Sequence, residues 1–212
     1  MTLAAVAIAA TVNAQIYVGG TLGFESGNNK TERSAAGATT TTELGTTTFS
    51  ILPEFGYKID DQMAVGLAFG YSYTSEETGK NPDTKDKTSR FEFNPYFRYT
   101  FLQMGNFSVF ADAQVGFYTG KTTTEASVSG AVVSVEYPKV SGYSFTICPG
   151  IAYKANDALS FVAKLGNSIN GHNGLGFWSD KVETNANTTI TDTSFGLNLS
   201  SIGLQFGAYY NF

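Results

Sequence analysis

The sequence predicts an all-β protein, an antiparallel up-and-down transmembrane β-barrel of about eight strands. Strand-length segments from Ile16 onward alternate apolar residues with small or polar ones, which is typical of strands that have two different faces. The chain also closes on an aromatic-rich run in which Leu204, Phe206, Tyr210 and Phe212 share one phase. A barrel can cross lipid because its backbone groups pair between strands and leave no open edge.

Eight segments have the length of about 9 to 11 residues that a membrane-crossing strand needs. They run near 15–25, 47–58, 62–74, 89–101, 107–119, 142–154, 158–168 and 195–212. Short connections at 58–62, 102–106 and 155–157 carry Asp, Asn or Gly, as hairpin turns require. They alternate with long polar stretches, interpreted as loops, at 26–46, 75–88, 120–141 and 169–194. This alternation is typical of an outer-membrane barrel with periplasmic turns and extracellular loops.

The apolar phase of each strand is expected to face lipid, because almost no charge falls in it. Five large side chains are predicted to point outward: Phe55, Leu67, Phe97, Phe145 and Phe206. In the last segment this phase moves from odd to even positions, which predicts a bulge near Ser200-Ser201. A soluble periplasmic barrel is the alternative, and it would place the large apolar residues inside.

Three prolines occupy equivalent places in alternate strands. Pro53, Pro95 and Pro149 each stand four residues before a tyrosine. Each proline removes one donor from the strand ladder, so we expect a local bulge or a substitute hydrogen bond at each.

The N-terminal residues resemble a secretory signal. An apolar core at residues 3–10 precedes Val12-Asn13-Ala14, a small-residue cleavage site. The sequence therefore predicts a signal peptide at 1–14 and a barrel domain at 15–212. Only Met1 and Thr2 precede the core, where basic residues are usual, which favours a truncated start.

Composition removes several classes of function. The formal net charge of −5 argues against a nucleic-acid partner, which would favour a basic surface. The sequence has no run of about 18 apolar residues that would form a membrane helix. Cys148 is the only cysteine, so an intrachain disulfide is impossible.

The polar phase of the strands carries charges that are expected to face the lumen. Six residues form the candidate interior ion-pair network: Glu54, Arg90, Glu92, Arg98, Asp112 and Lys164. Neighbouring strands offer only small residues there, such as Ala64 and Gly66, which leaves room for charges to meet. A barrel of eight strands is just wide enough to be filled by side chains. The network is therefore interpreted as a static plug, with a narrow pore gated by these ion pairs as the alternative.

The strand pattern, the Pro-x-apolar-x-Tyr segments and the terminal Tyr-Tyr-Asn-Phe resemble small outer-membrane β-barrels of Gram-negative bacteria. The likeness is to the OmpA/OmpX-like group and to the porin-family barrels common in Bacteroidetes. It implies a bacterial outer-membrane location, with lipid and lipopolysaccharide as surroundings. It also implies that Phe206, Tyr210 and Phe212 form the signal that the barrel-assembly machinery reads.

Catalysis has little support in the sequence. His172 is the only histidine, and Ser168, Ser179 and Asp180 lie near it, so a hydrolase on the fourth loop is a third hypothesis. No Gly-x-Ser-x-Gly motif accompanies these residues. With one histidine and one cysteine, ligand spacing for a metal is also missing. We therefore predict no enzyme activity, no catalytic or metal-binding residues and no cofactor.

The long polar stretches are the expected working surface. Residues 124–137 are interpreted as two short strands about Gly130 that rise above the bilayer. An exposed strand edge there invites strand addition, so an extracellular protein partner is predicted to bind through 120–141. The leading hypothesis is a structural or surface-interaction protein, ahead of the narrow channel and the loop hydrolase.

Overall fold

The computed structural model describes residues 16–35, 38–79, 84–128, 131–136, 138–165, 174–185, 187–198 and 204–212. Within these ranges eleven strands are found. They are β1 (Ile16–Ala35), β2 (Ala38–Lys58), β3 (Met63–Gly79), β4 (Thr84–Met104), β5 (Phe107–Val128), β6 (Ala131–Val135), β7 (Lys139–Lys154), β8 (Leu159–Leu165), β9 (Gly174–Asn185), β10 (Thr188–Asn198) and β11 (Leu204–Asn211). None of the described residues belongs to a helix long and apolar enough to cross a bilayer.

Eight of these strands close a ring in the order β1, β2, β3, β4, β5, β7, β8, β11. Every seam is antiparallel, and the ring closes where β11 pairs with both β8 and β1. The predicted fold class, an antiparallel eight-stranded barrel, is confirmed. We call the end with the β2–β3, β4–β5 and β7–β8 connections the short-turn end, and the opposite end the long-hairpin end.

The long connections are not loops, which corrects the prediction. β1 and β2 stay paired as far as Ala35 opposite Ala38, and β3 and β4 as far as Thr78 opposite Thr84. β5 pairs with β6 from Thr124 to Val128, so this predicted hairpin is present. Threonine-rich runs favour strands, but both faces are polar above a membrane, so no apolar alternation marks them.

The short turns are held by side chains as hairpin chemistry demands. The Asp60 carboxylate accepts hydrogen bonds from the Gln62 and Met63 backbone N–H groups at 2.8 and 2.7 Å. The Asn156 side chain plays the same part in the β7–β8 turn. Gly105, between β4 and β5, has φ of +57°, a conformation that side chains disfavour.

The three prolines lie in matched gaps of the strand ladder. Pairing with the following strand skips Leu52-Pro53 on β2 and Asn94-Pro95 on β4. The register is the same on both sides of each gap, so the expected bulge is absent at Pro53 and Pro95. On β7 the skipped pair is Cys148-Pro149, where the neighbour changes from β9 to β8. A proline has no N–H to donate, and in these gaps no paired donor is required.

Bulges occur elsewhere. The β4–β5 register shifts between Thr100 and Leu102, near the short-turn end. The bulge predicted at Ser200-Ser201 lies outside the described residues. The predicted last strand, 195–212, is covered by two strands with different partners, β10 and β11, and Leu197 and Leu204 are both exposed.

The two faces of the ring have opposite chemistry. Phe55, Phe97, Phe145 and Phe206 are exposed on the outside, and Leu67 shares the outer phase of β3 and is partly exposed. Buried inside are the charged Glu54, Arg98, Asp112 and Lys164. A soluble barrel would show the reverse, so this alternative is wrong. An outer apolar belt around a polar interior is the arrangement of a barrel that spans lipid.

Candidate functional site: the luminal charge cluster

Four of the six residues proposed for the interior network meet at one level of the lumen. Glu54 comes from β2, Arg98 from β4, Asp112 from β5 and Lys164 from β8. All four are buried, and Asp112 is completely so. Because side chains alternate along a strand, the same period that places phenylalanines outside brings these four charges inside.

The four side chains form one continuous set of ion pairs, which we call the charge cluster. Arg98 donates two hydrogen bonds to the Asp112 carboxylate, at 2.6 and 2.8 Å. The Lys164 ammonium lies 2.7 Å from a Glu54 oxygen and 3.1 Å from an Asp112 oxygen. The Arg98 guanidinium lies 3.8 Å from Glu54, which closes the circuit. Two cations and two anions make the cluster neutral, as charges buried in a narrow lumen must be.

Tyrosines and one phenylalanine enclose the cluster. The Tyr209 hydroxyl donates to Glu54 at 2.9 Å and accepts from Arg98 at 3.1 Å. The Arg98 guanidinium carbon lies 4.0 Å from the centre of the Phe110 ring. The Tyr17 and Tyr96 hydroxyls are hydrogen-bonded to each other at 2.7 Å. These rings surround the guanidinium and hold it in one place.

Glycines on neighbouring strands make room for these rings. A Cβ atom added at Gly66 would lie 2.5 Å from the Tyr96 ring, and one added at Gly150 would lie 2.5 Å from the Phe110 ring. Both distances are well inside van der Waals contact. The small-residue strands predicted from sequence therefore accommodate aromatic rings as well as charges.

Arg90 and Glu92 do not join the charge cluster. Both lie further toward the long-hairpin end, where Arg90 is 4.6 Å from the centre of the Tyr118 ring. Glu92 accepts a hydrogen bond from the Asn94 amide at 3.2 Å. The Tyr118 hydroxyl donates in turn to Asp180. The predicted single network is thus two separate groups.

A vestibule leads from the short-turn end to the charge cluster. It has a volume of about 530 Å³, and its lining includes Lys58, Lys154, Tyr17, Phe110 and Arg98. Glu54, Asp112 and Lys164 are not part of its lining. Water therefore reaches Arg98 from this end, and the remaining charges lie beyond it.

The residues of the hydrolase hypothesis are not brought together by the described structure. Ser179 and Asp180 are consecutive on β9, so their side chains alternate between the two faces. His172 and Ser168 lie outside the described residues. In the part of the chain that is described, no three His, Cys, Asp or Glu side chains group as metal ligands.

The last strand is joined to β2 and to β1 at the short-turn end. Lys58 donates to the Asn211 side chain at 2.8 Å, and the Phe212 N–H donates to the Ile16 carbonyl at 3.0 Å. Phe206, Tyr210 and Phe212, the proposed assembly signal, are exposed on the outer face.

Sequence reasoning missed the aromatic enclosure. Tyr17, Tyr96 and Phe110 lie in the inward phase of their strands, so the period alone marks them as luminal. Tyr96 and Phe110 reach Arg98 from the same strand and from the adjacent strand β5, whereas Tyr17 reaches it from β1, on a different part of the ring.

Solved structures of bacterial outer-membrane proteins are similar to this chain. The outer membrane protein OprG from Pseudomonas aeruginosa is similar over 94% of this chain and 96% of its own, with TM-score 0.52 and 12% identity. Neisserial surface protein A matches at 16% identity over 93% and 97%, with TM-score 0.40. A major outer membrane protein from Thermus thermophilus matches at 10% identity over 93% and 99%, with TM-score 0.44. No protein-family model and no curated protein matches the sequence.

The class of the protein follows from the closed ring, the outer apolar belt and the likeness to OprG in fold. The chain is a small β-barrel of the outer-membrane type, which places it in the bacterial outer membrane. The short-turn end is then periplasmic and the long-hairpin end extracellular. A particular family, including the OmpA/OmpX-like group, is not identified by these likenesses.

Proposed function

We propose that this protein is a non-enzymatic structural or surface-interaction barrel of the OmpA/OmpX-like kind, with a closed lumen and extracellular strand ends as its working surface. The charge cluster carries the proposal. Four mutually paired charges and an aromatic enclosure fill the lumen at one level, which an eight-stranded barrel is narrow enough to allow.

The extracellular hairpin of β5 and β6 is the proposed contact for a protein partner. β6 pairs with β5 from Ala131 to Val135, and Val132, Val133 and Val135 are exposed. An exposed strand with apolar side chains is suited to strand addition by another chain. The proposed surroundings are outer-membrane lipid and lipopolysaccharide, and the proposed assembly route is the barrel-assembly machinery acting on Phe206, Tyr210 and Phe212. Residues 1–14 remain a proposed signal peptide.

A narrow channel is the second candidate, and the vestibule favours it. If the cluster opened around Arg98, the vestibule would supply half of a path through the lumen. Planar-bilayer recording separates the two functions. We expect no large stable conductance from the purified protein. Sustained conductance on the nanosiemens scale, as in open porins with many more strands, would favour the channel.

The surface role has a separate test. Deletion of 124–137 should leave heat-modifiable folding intact, because it removes β6 and only the end of β5 beyond its pairing with β7, which stops at Lys121. The same deletion should abolish partner binding at the cell surface, whereas His172→Ala should leave it unchanged. Partner binding that survives the deletion would contradict the proposed role of the hairpin.

A further inference from the structure

The outer wall of the barrel has a furrow near the extracellular edge of the apolar belt. It extends over β3, β4, β5, β7, β9 and β10 and has a volume of about 780 Å³. Phe91, Phe93, Phe117 and Tyr143 line it, and all four are exposed. These residues belong to the outward phase of their strands, so the furrow opens toward lipid.

Small side chains among large ones produce the furrow. One cross-strand row places Phe91 opposite Thr119, Thr119 opposite Ser141, and Ser141 opposite Lys181. The neighbouring row toward the membrane centre contains Phe93, Phe117 and Tyr143 instead. On β5 and β7, Thr119 and Ser141 thus lie on the extracellular side of Phe117 and Tyr143. The wall is indented at these two short hydroxyl side chains.

Lysines border the furrow on its extracellular side. Lys121 on β5 lies directly opposite Lys139 on β7, and Lys181 lies one row lower on β9. Like charges directly opposite each other in a sheet are destabilising. The acids at this level are Glu136, 2.9 Å from Lys121, and Glu183, 3.4 Å from Lys181. Lys139 lies directly opposite Glu183 on β9, so three lysines and two glutamates share this level of the wall.

The two acidic partners are weak competitors for an incoming anion. Both ion pairs are about half exposed to solvent, and such pairs contribute little to stability. A phosphate group offers more charge and more acceptor oxygens than one carboxylate, and lysine binds it readily. The change from aromatic residues to lysines also marks the level at which lipid headgroups lie.

We propose that this furrow binds a phosphate-bearing lipid of the outer leaflet, with an acyl chain along the aromatic residues and a headgroup phosphate on Lys121, Lys139 and Lys181. The occupant is a lipid rather than a protein because the furrow opens on the bilayer-facing wall. The site rests on the outer-membrane location. It does not depend on the β5–β6 hairpin as a protein-binding surface.

Native mass spectrometry of the detergent-solubilised full chain tests the proposal with three probes: diphosphoryl lipid A, dephosphorylated lipid A and phosphatidylcholine. The wild-type protein should retain diphosphoryl lipid A in preference to the other two. The triple variant K121Q, K139Q, K181Q should lose this retention by about tenfold or more, since each lysine near a lipid surface attracts anionic headgroups. The matched control K30Q, K85Q, K87Q removes as many charges from the same half of the barrel and should retain the lipid.

A second variant tests the furrow itself. T119L with S141L fills the indentation with apolar side chains and keeps every lysine, so it should also reduce lipid A retention. Heat-modifiable migration on gels checks folding. If this variant fails to fold, lipid A retention by the lysine variants alone tests the proposal. Equal retention of phosphatidylcholine by the wild-type protein, or full retention by the triple lysine variant, would overturn the proposal. A dimer formed through this wall in place of bound lipid would also overturn it.

Discussion

The periplasmic and extracellular halves of the barrel differ in how completely the sheet closes. In the periplasmic half, β8 and β11 complete the ring, and the pairing of β1 with β11 runs from Tyr17 to Leu22. In the extracellular half, β9 and β10 stand beside β7, and no pairing among the described residues joins β10 to β1. Phe195 on β10 and Phe24 on β1 are 79% and 71% exposed, the highest values among the described large apolar side chains.

The charge cluster lies in the half that is closed. Closure brings Tyr209 of β11 and Lys164 of β8 to Glu54 of β2, so Glu54 makes its two short contacts only when the ring is complete. Backbone pairing and charge pairing therefore depend on each other there. We infer that stability is concentrated in the periplasmic half, and that the extracellular sheet tolerates more change. Four predictions test this difference.

The largest expected effect comes from the charge cluster. Arg98→Ala leaves Asp112 and Glu54 with Lys164 as their one remaining cation in the cluster, and should destabilise the folded barrel by about 3 to 5 kcal/mol. Arg90→Ala, in the extracellular half, should cost much less. Urea unfolding in lipid vesicles measures both. A loss below about 1 kcal/mol for Arg98→Ala would show that the cluster is not a stabilising element.

A charge placed in the apolar belt should have the next largest effect. Leu67→Arg on β3 should destabilise the inserted barrel by about 2 to 4 kcal/mol if the residue lies near the membrane centre. Thr47→Arg on the outward phase of β2, beyond the belt, is the matched control and should cost close to nothing. The same vesicle unfolding experiment applies, and similar losses for the two variants would contradict the proposed position of the belt.

A glycine-to-alanine substitution should cost a different amount of folding free energy in the two halves of the barrel. At Gly66 the new Cβ would meet the Tyr96 ring at 2.5 Å and the Phe55 carbonyl oxygen at 2.7 Å, so Gly66→Ala should cost about 1 to 3 kcal/mol. At Gly196 on β10 nothing lies within 4 Å of the added atom. Gly196→Ala should therefore be neutral or slightly stabilising. Equal losses at both positions would mean that packing is as tight in the extracellular wall.

The smallest effect concerns an exposed pair. The hydrogen bond from Lys121, aided by its charge, lowers the pKa of Glu136 below its ordinary value. Because the folded pKa is the lower one, the pair's contribution to the β5–β6 hairpin is complete above the unfolded pKa. That contribution is lost as the pH falls through the folded pKa. NMR titration should show the Glu136 midpoint rising in Lys121→Gln and staying unchanged in Lys85→Gln. An unmoved midpoint in Lys121→Gln would show that the pair does not form in solution.

The alternation of apolar and polar residues along each strand was enough to predict the eight-stranded ring and one pair of the charge cluster, Arg98 with Asp112. The β4–β5 turn sets the register that places Arg98 opposite Asp112, so this pair follows from strand phase and turn position. The contacts of Lys164 and Tyr209 with Glu54 depend on closure between distant strands, which no local pattern encodes. Strand lengths beyond the belt were missed because a sheet that is polar on both faces leaves no alternation to read. Arg90 and Glu92 share the inward phase, but phase says nothing about height along the lumen.

The gap at Cys148-Pro149 has a consequence for how the chain can vary in length. The β9 pairing with β7 ends at Ile147 and the β8 pairing begins at Gly150, so the ladder along β7 is interrupted between its two partners. Extra residues between β8 and β9 would break none of the pairings seen among the described residues. Their cost is chain-closure entropy, which grows only slowly with added length. This junction is therefore a natural position for insertions during evolution, and for an epitope tag displayed from an intact barrel.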